Sequence, residues 1–110
     1  MIRTLLVLLP VGALMAPAAA QSKGKSQGDA EKGKAVFEQC SVCHNADSEE
    51  KKLGPGLKGL FKKAKMANGK KVTEANVRAV IDAGGNGMPA YKEMLSDEEK
   101  DNLIAYLKTL

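Results

Sequence analysis

The chain has 110 residues, a net charge of +4, two cysteines, one histidine, no tryptophan, two phenylalanines and two tyrosines. That length holds one small domain, and so few bulky apolar side chains leave its core under-filled unless a staple or cofactor completes it. Two cysteines and one histidine exclude a large metal cluster, and a single arginine beyond the N-terminal segment, with little aromatic interleaving, argues against nucleic-acid binding.

Arg3, the apolar residues 5–15 and the triplet Ala18-Ala19-Ala20 have the three parts of an export signal, with cleavage expected before Gln21. The alternative is an uncleaved anchor, but a span needs roughly 18 or more apolar residues; this stretch is shorter, and Pro10 and Pro17 interrupt residues 5–20. No cysteine follows it to accept a lipid. Residues 1–20 are therefore read as a signal peptide, the Ser/Lys/Gly-rich 21–28 as a flexible tail, and 29–110 as the domain.

Asp29 is a helix N-cap by type. After it Ala30, Gly33, Phe37 and Cys40 recur at three- and four-residue spacing and share one face. That predicts a helix whose end carries Cys40 into Cys40-Ser41-Val42-Cys43-His44. C-x-x-C-H is the attachment signature of c-type haem: two thiols can bond one porphyrin as thioethers, and the next residue offers an imidazole nitrogen to the iron. A Cys40–Cys43 disulfide is the alternative in an oxidising compartment. A thioredoxin-like pair would need a βαβ setting, and no segment here reads as a strand. A histidine directly after the second cysteine favours haem, which would also supply the missing core.

Residues 45–60 are rich in Gly, Pro and charge and read as a loop, with a weak helical piece at 57–65 and a turn at Asn68-Gly69. The next helix spans 73–83, capped by Thr73, striped by Val77, Val80 and Ile81, and ended by Gly84. Gly84-Gly85-Asn86-Gly87-Met88-Pro89 reads as the most flexible stretch of the domain. A last helix opens on a capping box of Ser96 and Glu99, with Asp97 and Glu98 suiting its positive end. Leu103, Ile104, Tyr106, Leu107 and Leu110 give it apolar faces. The pattern is all-α, with loops long enough to require something that fills their interior.

A second axial ligand would separate an electron carrier from a haem protein that binds small molecules. Met66, Met88 and Met94 are available, and core filling is the usual work of a methionine. Met94, just before the last helix, fits that role; Met66 has no distinguishing neighbour. Met88, between a glycine run and Pro89, is equally suited to ligation or packing.

Over residues 28–110 the chain resembles class I cytochromes c, in particular the small soluble bacterial ones. The resemblance is carried by Cys40 to His44, by Gly54-Pro55-Gly56-Leu57, by Gly87-Met88-Pro89 and by the amphipathic last helix. It implies an all-α cytochrome c fold around one haem c, covalently held by Cys40 and Cys43 and ligated by His44 and Met88. It also implies that the Pro55 carbonyl accepts the Nδ1–H of His44 and that Leu57 packs on the ring. Gly33 and Phe37 would cross Leu103 and Tyr106. The chain departs from many relatives in having no Trp or Tyr between 58 and 87 to donate to a haem propionate, which leaves Asn68, Lys70 and Lys71 as substitutes.

Lys51, Lys52, Lys58, Lys62, Lys63, Lys65, Lys70 and Lys71 fall in one stretch without an acid, whereas acids gather between 93 and 101. The expectation is a monomeric periplasmic one-electron carrier, not an enzyme, whose lysines steer a redox partner with an acidic docking surface. A solvated loop face and weak attraction to anionic lipid are the alternatives for these lysines. For the function, the alternatives are a haem subunit dedicated to one dehydrogenase or oxidase, and a ligand-binding haem protein with a labile Met88.

Overall fold

In the computed structural model, Gly12 and residues 28–110 are described. Apart from Gly12, the expected signal peptide lies outside the described residues, as does nearly all of the tail; Gly28 packs so closely on Asp101 that a Cβ there would overlap its carbonyl oxygen. Three helices follow: α1 (Ala30–Phe37), α2 (Glu74–Ala83) and α3 (Asp97–Leu107), with a 3₁₀ turn at Leu60–Lys62. Among the described residues there are two isolated bridges, Lys65 with Lys71 and Gly85 with Met88, and no strand.

Each helix starts where side-chain chemistry lets it. The Asp29 carboxylate accepts from Glu31 N (2.9 Å) and Lys32 N (3.2 Å), Thr73 Oγ1 accepts from Asn76 N (3.0 Å), and Ser96 and Glu99 close a reciprocal capping box. α1 ends at Phe37, so Cys40 lies past the helix in a series of turns, not on its last turn as the spacing predicts. The helical piece expected at 57–65 shrinks to three residues, because Gly59 sits at φ 70° before it and Lys63 is extended after it.

α1 and α3 cross at Gly33. A Cβ on Gly33 would overlap the Asn102 carbonyl and lie 2.8 Å from Tyr106 Cβ. The bare backbone brings Phe37 within 5.3 Å of the Tyr106 ring, the two planes tilted by 52°. Asn102 Oδ1 also accepts from Asp29 N at 2.8 Å, tying the start of α1 to α3. Around this crossing Phe37, Val77, Ile81, Tyr91, Leu95, Leu103, Ile104 and Leu107 form the buried core.

α2 is held to α3 by charge. Arg78 donates to Asp101 (2.6 Å) and Asp97 (3.1 Å), and Lys108 pairs with Glu74. Burial alone would disfavour the Arg78 charge, but the two carboxylates outweigh it and raise its pKa above the ordinary value. Met94, expected in the core, is 62% exposed. Met94 N and Leu95 N both bond Tyr91 O, and this turn carries Tyr91 and Leu95 inward while Met94 points out.

Candidate haem site

The chain leaving α1 stays coiled. Cys40 N and Ser41 N bond Phe37 O (2.7 and 3.0 Å), and Cys43 N and His44 N bond Cys40 O (3.1 and 3.0 Å). Cys40 and Cys43 are thus one turn apart, both half-buried and both free thiols, not a disulfide. Burial first, and then neighbouring Cys43, push the Cys40 thiol above its usual pKa, which keeps it protonated.

His44 is oriented from behind. Its Nδ1 stands 2.8 Å from the carbonyl oxygen of Pro55. A carbonyl only accepts, so Nδ1 carries the proton and Nε2 keeps its lone pair for a metal. The ring lies against Gly54, where an added Cβ would come 2.5 Å from Cε1 and 2.9 Å from Nδ1. The Gly54 N–H in turn donates to Cys43 O at 2.8 Å, and Leu57 N donates to Asn45 O at 2.7 Å. The Gly-Pro segment is therefore clamped along the Cys40–His44 turns. Gly54→Ala should displace the imidazole; we expect altered axial ligation in the visible spectrum of the holoprotein, and an unchanged spectrum would show that the ring has room to move.

Met88 is half-buried and packs against the core. The glycine-rich stretch before it, expected to be slack, is a tight turn: Gly85 N bonds Met88 O (2.9 Å) and Met88 N bonds Gly85 O (3.0 Å). Asn86 (φ 52°) and Gly87 (φ 90°) supply the two positive φ angles of a type I′ turn, the Asn-Gly signature that the sequence reading overlooked. Leu57, Leu60, Phe61, Met66 and Val72 are, like Met88, only partly buried apolar side chains beside the core.

Tyr91 was not singled out from the sequence. It is buried, and burial first, then the charges of Cys40 and Cys43, raise its phenol pKa. Its signal was a rare aromatic three residues after Met88.

Among the described residues no group of three or more His, Cys, Asp or Glu side chains could hold a bare metal ion. One histidine Nε2 beside two free thiols and partly buried apolar side chains instead suits a metal that brings its own equatorial ligands and an apolar rim. The residues fit a haem.

The family model described as cytochrome c matches residues 30–110. The chain is 31% identical to cytochrome c2 of Rhodospirillum rubrum over 129 aligned residues, covering 93% of this chain and 96% of that protein. It is 36% identical to cytochrome c2 of Blastochloris viridis (92% and 87%) and 38% identical to cytochrome c6 of Leptolyngbya boryana (72% and 89%). Cytochrome c6 from the diatom Phaeodactylum tricornutum superposes with a TM-score of 0.60 at 28% identity, over 74% of this chain and 93% of that one.

Proposed function

The chain belongs to the class I cytochrome c family, electron carriers with one haem c, here attached covalently through Cys40 and Cys43, and on that premise we propose that His44 and Met88 close both axial positions in a periplasmic one-electron shuttle. The observation that carries the reading is the 2.8 Å contact from His44 Nδ1 to Pro55 O. It leaves one nitrogen to donate, beside two thiols that can fix a porphyrin.

Bound haem iron supplies the one-electron couple. His44 is the fixed ligand, with Pro55 holding its tautomer and raising its basicity. Leu57 and the other partly buried apolar side chains keep water from the ring. Met88 would supply the second protein ligand; a thioether there would favour the reduced state and bar substrates from the metal. The protein is thus a carrier and not an enzyme. Cleavage after Ala20 would release residues 21–110 into the periplasm as a monomer, and among the described residues no helix is long and apolar enough to cross a membrane. A redox titration should follow a one-electron Nernst curve, and the reduced protein should not bind carbon monoxide. Rapid carbon monoxide binding would overturn closed coordination.

The charge distribution supports a protein partner. Asp97 and Asp101 are paired with Arg78, which mutes part of the acidic stretch. The lysines from 51 to 71 are all exposed, and among them only Lys63 pairs with an acid, Glu49 at 3.7 Å, in the described residues. Val42 (70% exposed) and Leu53 (78%) add apolar surface beside the Cys43–Gly54 hydrogen bond, where a partner can make contact near the haem. Electron exchange with an acidic blue-copper protein should slow about tenfold or more between low and high salt. Lys62→Glu with Lys65→Glu should lower the low-salt rate by a similar factor. A rate independent of ionic strength would remove the steering role.

A further inference from the structure

Lys100 breaks two local rules. It is 4% exposed, where a lysine is rarely found, and it stands near the start of α3, where the helix dipole disfavours a cation. Its ammonium lies 2.7 Å from Asp82 Oδ1 and donates to the Lys92 carbonyl at 3.1 Å. The buried Oδ1 of Asp82 has no hydrogen bond of good angular geometry, so the ammonium charge is what meets it. A buried ion pair contributes little net stability over an apolar replacement, so stability alone does not account for a lysine here.

The position of the two partners does. Asp82 is the last but one residue of α2, where the chain departs for Met88. Lys92 lies where it returns, with Tyr91 N bonded to Ile81 O (2.9 Å) and Lys92 N to Asp82 O (3.3 Å). Residues 82–92 therefore form a closed loop, and Lys100 grips both sides of its neck from α3. Inside the loop there is little slack: a Cβ on Gly84 would overlap Met88 O and come 2.6 Å from Pro89 O. A shift at the neck is carried to Met88.

We propose that Lys100 is a positioning residue for the iron's sixth ligand, its ammonium holding the outgoing and returning ends of the Met88 loop together so that the methionine sulfur stays seated. This rests on the reading of Met88 as that ligand. Opening the neck raises the fraction of protein in which the sixth position is free, and an added ligand binds more tightly in proportion to that fraction.

The experiment is imidazole titration of the oxidised holoprotein, with amide hydrogen exchange and thermal melting on the same samples. Lys100→Met should bind imidazole about 10-fold or more tightly than wild type, the scale set by losing a hydrogen bond to a charged group. Exchange at the Tyr91 and Lys92 amides should quicken. Lys100→Arg should recover most of the wild-type affinity, and Asp82→Asn should move it in the same direction as Lys100→Met by a smaller factor, which serves if Lys100→Met does not fold. Arg78→Met, which cuts the ion pairs to Asp97 and Asp101, should lower the melting temperature without changing imidazole affinity. If Lys100→Met and Asp82→Asn melt earlier but bind imidazole as wild type does, Lys100 is merely structural and the proposal falls. If Met88→Ala itself binds imidazole no more tightly than wild type, the ligand reading fails and the proposal falls with it. Tight binding by Met88→Ala alone overturns only the role of Lys100.

Discussion

Met88→Ala is expected to abolish the methionine-to-iron charge-transfer band of the oxidised protein and to lower its reduction potential by on the order of 0.1 V, within the ≈ 0.8 V range that axial ligands span. Thioether sulfur is a soft donor that favours the lower iron charge, and an alanine leaves the position to water. Met66→Ala and Met94→Ala serve as controls. Met94 is 62% exposed, and Met66 sits in the small 64–72 hairpin, its N–H bonded to Lys70 O at 2.8 Å. Met66 O also accepts from Gly69 N (2.9 Å) and Met94 N bonds Tyr91 O (3.1 Å), so turn bonds do not by themselves single out Met88 and the three variants decide the ligand. A band that survives in Met88→Ala and disappears in Met66→Ala would transfer the ligand role.

Gly33→Leu is expected to destabilise the holoprotein by about 3 kcal/mol or more, beyond the roughly 1 kcal/mol scale of helix propensity. For a domain of this size that is a fall in melting temperature on the order of 15 °C. Leucine propensity would by itself favour the helix, so the sign of the effect separates packing from propensity. The first added atom already overlaps the Asn102 carbonyl, which is helix backbone and cannot swing aside. α1 must then withdraw from α3, loosening the Phe37–Tyr106 contact and the Asp29–Asn102 hydrogen bond. Ala35→Leu, on the exposed side of α1, is the control and should be close to neutral. An unchanged melting curve for Gly33→Leu would mean that the helices do not depend on close approach here.

Much of this was legible because it is local. Asp29, Thr73 and Ser96 with Glu99 cap helices through atoms within three residues of themselves, so type and spacing identify them. The haem cysteines are equally local, since two thiols one turn apart need only a short coil to face one macrocycle. What escaped was set by distant neighbours, by positive φ or by which way a turn faces. Asn86-Gly87 looked like slack and is a tight turn. Met94 looked like core and is solvent-facing, because the turn at Tyr91 spends its inward positions on Tyr91 and Leu95. Lys100, a lysine within the acidic stretch, is buried because Asp82 and the Lys92 carbonyl, both outside its own helix, meet its ammonium.

The sequence by itself determined the chemistry: one covalent haem, a histidine beside it, three capped helices and a lysine-rich stretch. The tertiary structure decided how that chemistry is aimed. Only folding places the Pro55 carbonyl, eleven residues away, on His44 Nδ1, and only folding brings Lys100 to Asp82 and Lys92 at the base of the Met88 loop. A motif states which atoms can bond. Which lone pair is left free, and how firmly a loop is held, depend on burial and on hydrogen-bond partners drawn from elsewhere in the chain.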